Sequence, residues 1–281
     1  MKKYAAIIEF SLLTYLITWG IWLPFVLKNL GIISADIPQV LFVFGMFGPV
    51  ISAIIISRRH EGRGSIKNLF KKMLIVRVGT GWLIFTLILP FVIVLLVLCG
   101  LVLIYGPIPG LEFAGSESMI GIFFYSLIPC ANEELSWRGF VLPGLQKHNT
   151  ALTSSIIIGI LWGFLHFPLF IIQPDRSGGF SLLYIVPLFL LMTTFLSIIY
   201  TTLYNNTGGS IFIATLFHTI FNTANELYSA PGQEYDLTAL ILFLGITFFA
   251  AAIIIILFGS KDLSKKPRLT NGLNTQEKNF T

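Results

Sequence analysis

The run Asn132-Glu133-Glu134-Leu135-Ser136-Trp137-Arg138-Gly139-Phe140 places three ionisable side chains within six residues, near the end of an apolar stretch. An ionised group at mid-bilayer costs about 2.5–3.5 kcal/mol on insertion scales, so such groups need partners or a water-filled cavity. On a helix, Glu134 and Arg138 are i and i+4 and can form the charge-assisted pair that makes a buried arginine tolerable. Glu133 points about 100° away from Glu134. A free, partly desolvated carboxylate can act as a general base near neutrality. The blander reading is that both glutamates only balance Arg138.

Two further clusters have the same spacing. Trp162 and His166 share a helix face in Trp162-Gly163-Phe164-Leu165-His166, and His218 and Asn222 share another, with Asn225 and Glu226 further along that stripe. A single histidine in a span often serves only as a helix–helix hydrogen-bonding residue. Here two of the chain's four histidines sit in such pairs, on separate segments that could converge with the glutamates. As a set they could supply a base for water, donors to a developing oxyanion and an acid for a leaving amine, which is what peptide hydrolysis requires.

These residues have to be positioned by membrane-spanning helices. Of 281 residues, 55% are hydrophobic and 11% charged, against roughly 25% charged in a soluble domain. The composition predicts an all-α, polytopic transmembrane bundle of about eight helices. The spans fall near Tyr4 to Leu27, Pro38 to Ser57, Thr80 to Tyr105, Ser118 to Val141, Leu152 to Ile172, Ser181 to Leu203, Ser210 to Tyr228 and Leu237 to Phe258. The first carries Glu9 and lacks a small-residue cleavage site before Pro24, so it reads as a retained span. Residues 1–260 form one transmembrane domain with a core at about 118–228, and 261–281 read as a polar, disordered cytoplasmic tail. Pro143-Gly144 predicts a break after Gly139, and Thr150 and Thr153 offer caps for the next span.

The basic residues give the orientation. With the N-terminus inside, Lys2, Lys3, the cluster from Arg58 to Arg77, Arg138, Lys147 and the basic residues from Lys261 to Lys278 all face the cytoplasm, and only Lys28 and Arg176 face out. Both termini are expected to be cytoplasmic. The net charge of +5 then follows from topology and calls for no nucleic-acid partner; the basic loop sits against anionic lipid heads. Cys99 and Cys130 both lie in spans and indicate no disulfide framework, with Cys130 read as a small buried residue rather than a nucleophile.

The ordered triplet EExxxR, aromatic-xxx-His and HxxxN, each on its own span, resembles the CPBP family of intramembrane proteases. That family includes CAAX prenyl endopeptidases and bacterial abortive-infection and bacteriocin-immunity proteins. The matching residues are Glu133, Glu134 and Arg138; Trp162 and His166; His218 and Asn222. The resemblance covers about residues 118 to 225, and the text EELSWRGFVLPGLQK and GILWGFLHFPLF looks like the bacterial branch, hence a bacterial plasma membrane. Trp162 stands where many members have phenylalanine, and reads as aromatic packing beside the histidine.

The resemblance implies a glutamate protease with no cofactor. Glu133 and His166 would activate water, His218 and Asn222 would donate to the oxyanion, and Glu134 with Arg138 would hold the geometry. It also implies a lipidated, CAAX-like or transmembrane peptide as substrate. Two alternatives stay open: a metal site formed by Glu133, His166 and His218, although no HExxH motif is present, and a non-hydrolytic immunity or scaffold protein. A proton-coupled transporter is a weaker reading, since no inverted repeat is evident. A stripe of Thr194, Ser197 and Thr201 could line a groove or simply join helices. The layout contains one tension: His166 lies about 21 Å into its span, whereas Glu133 lies near the inner end of its own. Their meeting requires either an extended fourth helix or a fifth helix that begins in a cytoplasmic projection. The second is expected, with a cavity open to the cytoplasm or to lipid.

Overall fold

Long apolar runs with few charges to interrupt them form the long helices of this chain. The computed structural model describes residues 2–173, 181–229 and 233–266. Its helices are α1 (Ala5–Asn29), α2 (Gln39–Gly45), α3 (Gly48–Glu61), α4 (Gly64–Lys71), α5 (Thr80–Tyr105), α6 (Ser116–Ser136), α7 (Leu142–Gln146), α8 (Ala151–Leu165), α9 (Phe167–Ile172), α10 (Leu182–Asn206), α11 (Ile211–Asn225) and α12 (Gln233–Phe258). Two residues each of β1 (Glu112–Phe113) and β2 (Tyr228–Ser229) pair antiparallel, next to the end of α11.

Six segments are long and apolar enough to cross a membrane: Ala5–Asn29, Gln39–Glu61, Thr80–Tyr105, Ala151–Ile172, Leu182–Asn206 and Leu237–Phe258. The protein is an integral membrane helix bundle. Leu103 is 85% exposed and Ile256 81%, which marks these helix faces as lipid-facing surface rather than core. The two remaining spans expected from sequence are helical but of another kind. α6 carries Glu117, Glu133 and Glu134. α11 has 15 residues, about 22 Å, short of a hydrocarbon core of roughly 30 Å. It packs on α5 and α6 with most of its side chains buried. α11 and the buried C-terminal end of α6 hold four of the six predicted site residues, and shielding from lipid is what their polar side chains require.

The break expected at Pro143-Gly144 does not form. After α6 the chain makes a π turn over Trp137–Val141 and runs straight into α7, with Pro143 in the first turn, where its missing N–H is not needed. The helical path from Glu133 to Gln146 is therefore about 20 Å long, and the path back along α8 from Ala151 to His166 about 22 Å. The two arms match, so Glu133 and His166 come level. The continuous α6–α7 path brings them level, and α8 starts from the far end of that extension. Lys72 donates to the Gly139 carbonyl at 3.0 Å, satisfying a backbone group of the widened turn. The Thr150 hydroxyl accepts from the Thr153 amide at 3.1 Å and caps α8, as its sequence predicts.

α8 lies closely against α10 because Gly159 and Gly163 leave room for it. A Cβ on Gly159 would collide with the Thr194 backbone, and one on Gly163 with the Thr193 hydroxyl. Hydroxyls then join the helices: Thr193 Oγ1 lies 2.9 Å from the Gly159 carbonyl, and Ser155 donates to Thr201 at 2.8 Å. Of the predicted stripe, Thr201 thus joins helices. Thr193, its unpredicted neighbour, is the one that lines the cavity.

The polar tail begins in ordered contact. Ala151 and Leu152 amides donate to the Lys261 and Ser260 carbonyls at 2.8 and 3.1 Å, Asn205 and Asn206 amides donate to the Asp262 and Leu263 carbonyls, and Leu263 is fully buried. The disorder expected from residue 261 thus does not extend to these residues, and the tail beyond Lys266 lies outside the described residues, as does Arg176.

Candidate active site

α6 presents Cys130, Glu133 and Glu134, with Arg138 following in the π turn; α8 presents Trp162 and ends on His166; α11 presents His218 and Asn222. The structure brings all six predicted residues into one cluster, arranged in two layers. Glu133, His166, His218 and Asn222 line a cavity of about 850 Å³, which also reaches Asn225 and Glu226. Glu134 and Arg138 lie behind them, both fully buried.

The buried layer is an ion pair with aromatic walls. Arg138 Nη1 lies 3.2 Å from Glu134 Oε1, and its guanidinium stands 4.2 Å from the Tyr200 ring centre and 5.2 Å from that of Trp162. Charge pairing and cation–π attraction together offset the loss of water around the arginine. Glu134 Oε1 also accepts from His218 Nδ1 at 2.9 Å. A carboxylate only accepts, so Nδ1 carries the proton, and the imidazole also lies within hydrogen-bond reach of the Cys130 thiol.

The cavity layer faces the space where a substrate would lie. His166 Nδ1 is 2.9 Å from the Trp162 carbonyl. A carbonyl has no proton to give, so Nδ1–H donates and Nε2 is left bearing a lone pair in the neutral ring. Nε2 lies 3.8 Å from Glu133 Oε1, too far for a direct hydrogen bond and close enough for one water to touch both. The reading of Glu133 as a carboxylate without a partner is corrected here: its Oε2 accepts a hydrogen bond from Trp162 Nε1. Asn222 Nδ2 lies 3.4 Å from the Cys130 sulfur, and Cys130 is buried beside His218.

His166 is fixed by a break in its helix. Pro168 lacks an N–H, Leu169 turns back to the His166 carbonyl, and the freed Leu165 carbonyl accepts from the Trp19 indole at 3.0 Å. Tyr15 supports the same segment through the Leu161 carbonyl at 2.9 Å. α1 therefore braces the histidine although no polar motif in it announces this.

Sequence reasoning missed three contributors. Trp162 reads as packing in the sequence and is a donor in the structure. Tyr200 contacts Arg138, Trp162 and His218 from α10. Lys72 reaches the π turn from beyond α4. For Trp162 the indole N–H at a mid-span position was the available signal, since a buried one usually finds an acceptor. The other two gave none.

A helical membrane bundle enclosing carboxylates and imidazoles beside an internal cavity holds the groups that peptide hydrolysis inside a membrane requires. A family model described as type II CAAX prenyl endopeptidase Rce1-like matches residues 115–224, which hold all six predicted residues. The chain is also similar to CAAX prenyl protease 2 of Methanococcus maripaludis, at 27% identity over 256 residues that cover 88% of this chain and 92% of the relative. Over residues 115–224 the chain is similar to the Rce1-like CAAX prenyl endopeptidases, and it is a protease.

Proposed function

We propose that this protein is a metal-independent, glutamate-type endopeptidase that cleaves lipidated, CAAX-like or membrane-embedded peptides. The observation that carries this reading is the 3.8 Å gap between Glu133 Oε1 and His166 Nε2 on the cavity wall. A water held by both is activated on deprotonation by Glu133, with the His166 lone pair orienting it, and attacks the scissile carbonyl. His218 and Asn222 lie on the same wall and receive the oxyanion. The second nitrogen of His218 donates only when the ring is protonated, and Glu134 is the counter-charge which that state needs. Glu133, once protonated, returns its proton to the leaving amine.

The metal-free part rests on where the donors point. Among the described residues, no group of three or more His, Cys, Asp and Glu is placed to hold a metal ion. The three-ligand set of Glu133, His166 and His218 is divided, since His218 turns to Glu134 and one Glu133 oxygen is taken by Trp162.

A prenylated substrate is supported by the similarity to a CAAX prenyl protease and by the cavity wall, where Val94, Val97, Leu101 and Leu196 adjoin the polar residues and suit an apolar anchor. The distribution of lysine and arginine favours both termini in the cytoplasm.

The deciding experiment gives purified protein in liposomes a panel of prenylated and transmembrane peptides. Defined fragments should appear at a rate unchanged by exhaustive chelation. Activity lost on chelation and restored by zinc would move Glu133, His166 and His218 into ligand roles. Absence of cleavage, with a Glu133→Gln variant that protects cells against a bacteriocin as well as wild type does, would favour a non-hydrolytic immunity protein.

A further inference from the structure

We infer that Trp162 is a positioning residue of the reaction, through an indole N–H that selects which oxygen of Glu133 faces His166. This rests on the hydrolase reading above and adds a member to its machinery. Trp162 is 5% exposed and touches four of the six site residues. Its Nε1 donates to Glu133 Oε2, its carbonyl accepts from His166 Nδ1 at 2.9 Å, its ring stands 5.5 Å from that of His218, and the Arg138 guanidinium lies 5.2 Å from its centre.

The two polar contacts act on the two partners of the attacking water. The backbone carbonyl fixes the His166 tautomer and directs Nε2 outward. The side chain fixes Glu133, for which the indole is the one hydrogen-bond partner among the described residues. With Oε2 held, Oε1 is the oxygen left 3.8 Å from His166. A glutamate side chain without that anchor would turn about its torsions and lose this alignment for much of the time. Phenylalanine, which the family resemblance allows here, fills similar space and donates nothing. The backbone half of the role survives that substitution, and the side-chain half does not, so the two can be separated.

The test uses full-length protein in liposomes and two variants. One is Trp162→Phe. The other carries 3-benzothienylalanine at position 162, in which sulfur replaces the indole N–H and the ring keeps its shape. Each should lower kcat about 10- to 100-fold, the range for losing a hydrogen bond to a charged group. In the benzothienyl variant KM and the thermal unfolding midpoint should remain at wild-type values. Independently of turnover, the 15N-labelled indole resonance of Trp162 should shift in Glu133→Gln. A benzothienyl variant with wild-type kcat overturns the proposal, including the case in which Trp162→Phe is impaired, because the ring would then be filling space only. An indole resonance unmoved by Glu133→Gln overturns it too. Wild-type protein that cleaves none of the peptides overturns the hydrolase reading and takes this role with it, even where the resonance moves.

Discussion

Glu133 and Glu134 are adjacent in sequence and separate in environment, and a pair of variants should divide them accordingly. Glu133 faces the cavity with 19% of its side chain exposed, whereas Glu134 is fully buried between Arg138 and His218. Glu133→Gln and His166→Ala should abolish cleavage and leave the unfolding midpoint nearly unchanged. Glu134→Gln and Arg138→Ala should also destabilise, by about 3–5 kcal/mol for a stranded buried charge, read as a lower midpoint in detergent. Wild-type cleavage by Glu133→Gln would remove it from the site. The pairs Glu134–Arg138, Trp162–His166 and His218–Asn222 were legible because i,i+4 spacing is a local rule that any helix obeys. The bond from Trp162 to Glu133 was not, because it joins helices 29 residues apart and depends on how two rods are rotated against each other.

At the scale of elements, the helices were legible as apolar runs, while their continuity was not. A Pro-Gly pair usually signals an end, yet proline in a first turn is as compatible with a beginning, and here the π turn delivers the chain into α7 in that register. The α8–α10 contact depends on Gly159 in the same way that the ion pair depends on its charges. Gly159→Leu should push α8 off the Thr194 backbone. The displacement carries Trp162 and His166 with it, so cleavage and stability should fall together. Gly121, where an added Cβ meets nothing within 4 Å, is the control: Gly121→Leu should be close to wild type in both assays.

For the whole molecule, the positive-inside pattern makes a directional claim. In a Cys99→Ser background, a cysteine at Lys67 should react with a membrane-impermeant maleimide only after vesicles are opened, and one at Lys28 should react from outside intact cells. Reaction of the Lys67 position from outside would invert the proposed orientation. Membrane class and approximate span number followed from composition, whereas the burial of α11 and of the C-terminal end of α6 by their neighbours is a property of the assembled bundle and leaves no mark in either helix alone.

The matched arms of the α6–α7 and α8 hairpin mean that the protein measures by counting. Each residue added to or removed from one arm slides that arm by about 1.5 Å and rotates it by about 100°, enough to take Glu133 out of reach of His166. The turn at residues 147–149 between the arms carries no part of that count, and with the Thr150 cap kept in place its length can change without altering the count on either side. An insertion scan along residues 134–165 should therefore be silent in the turn and inactivating in both flanks, a pattern of tolerated and forbidden lengths rather than of tolerated and forbidden side chains.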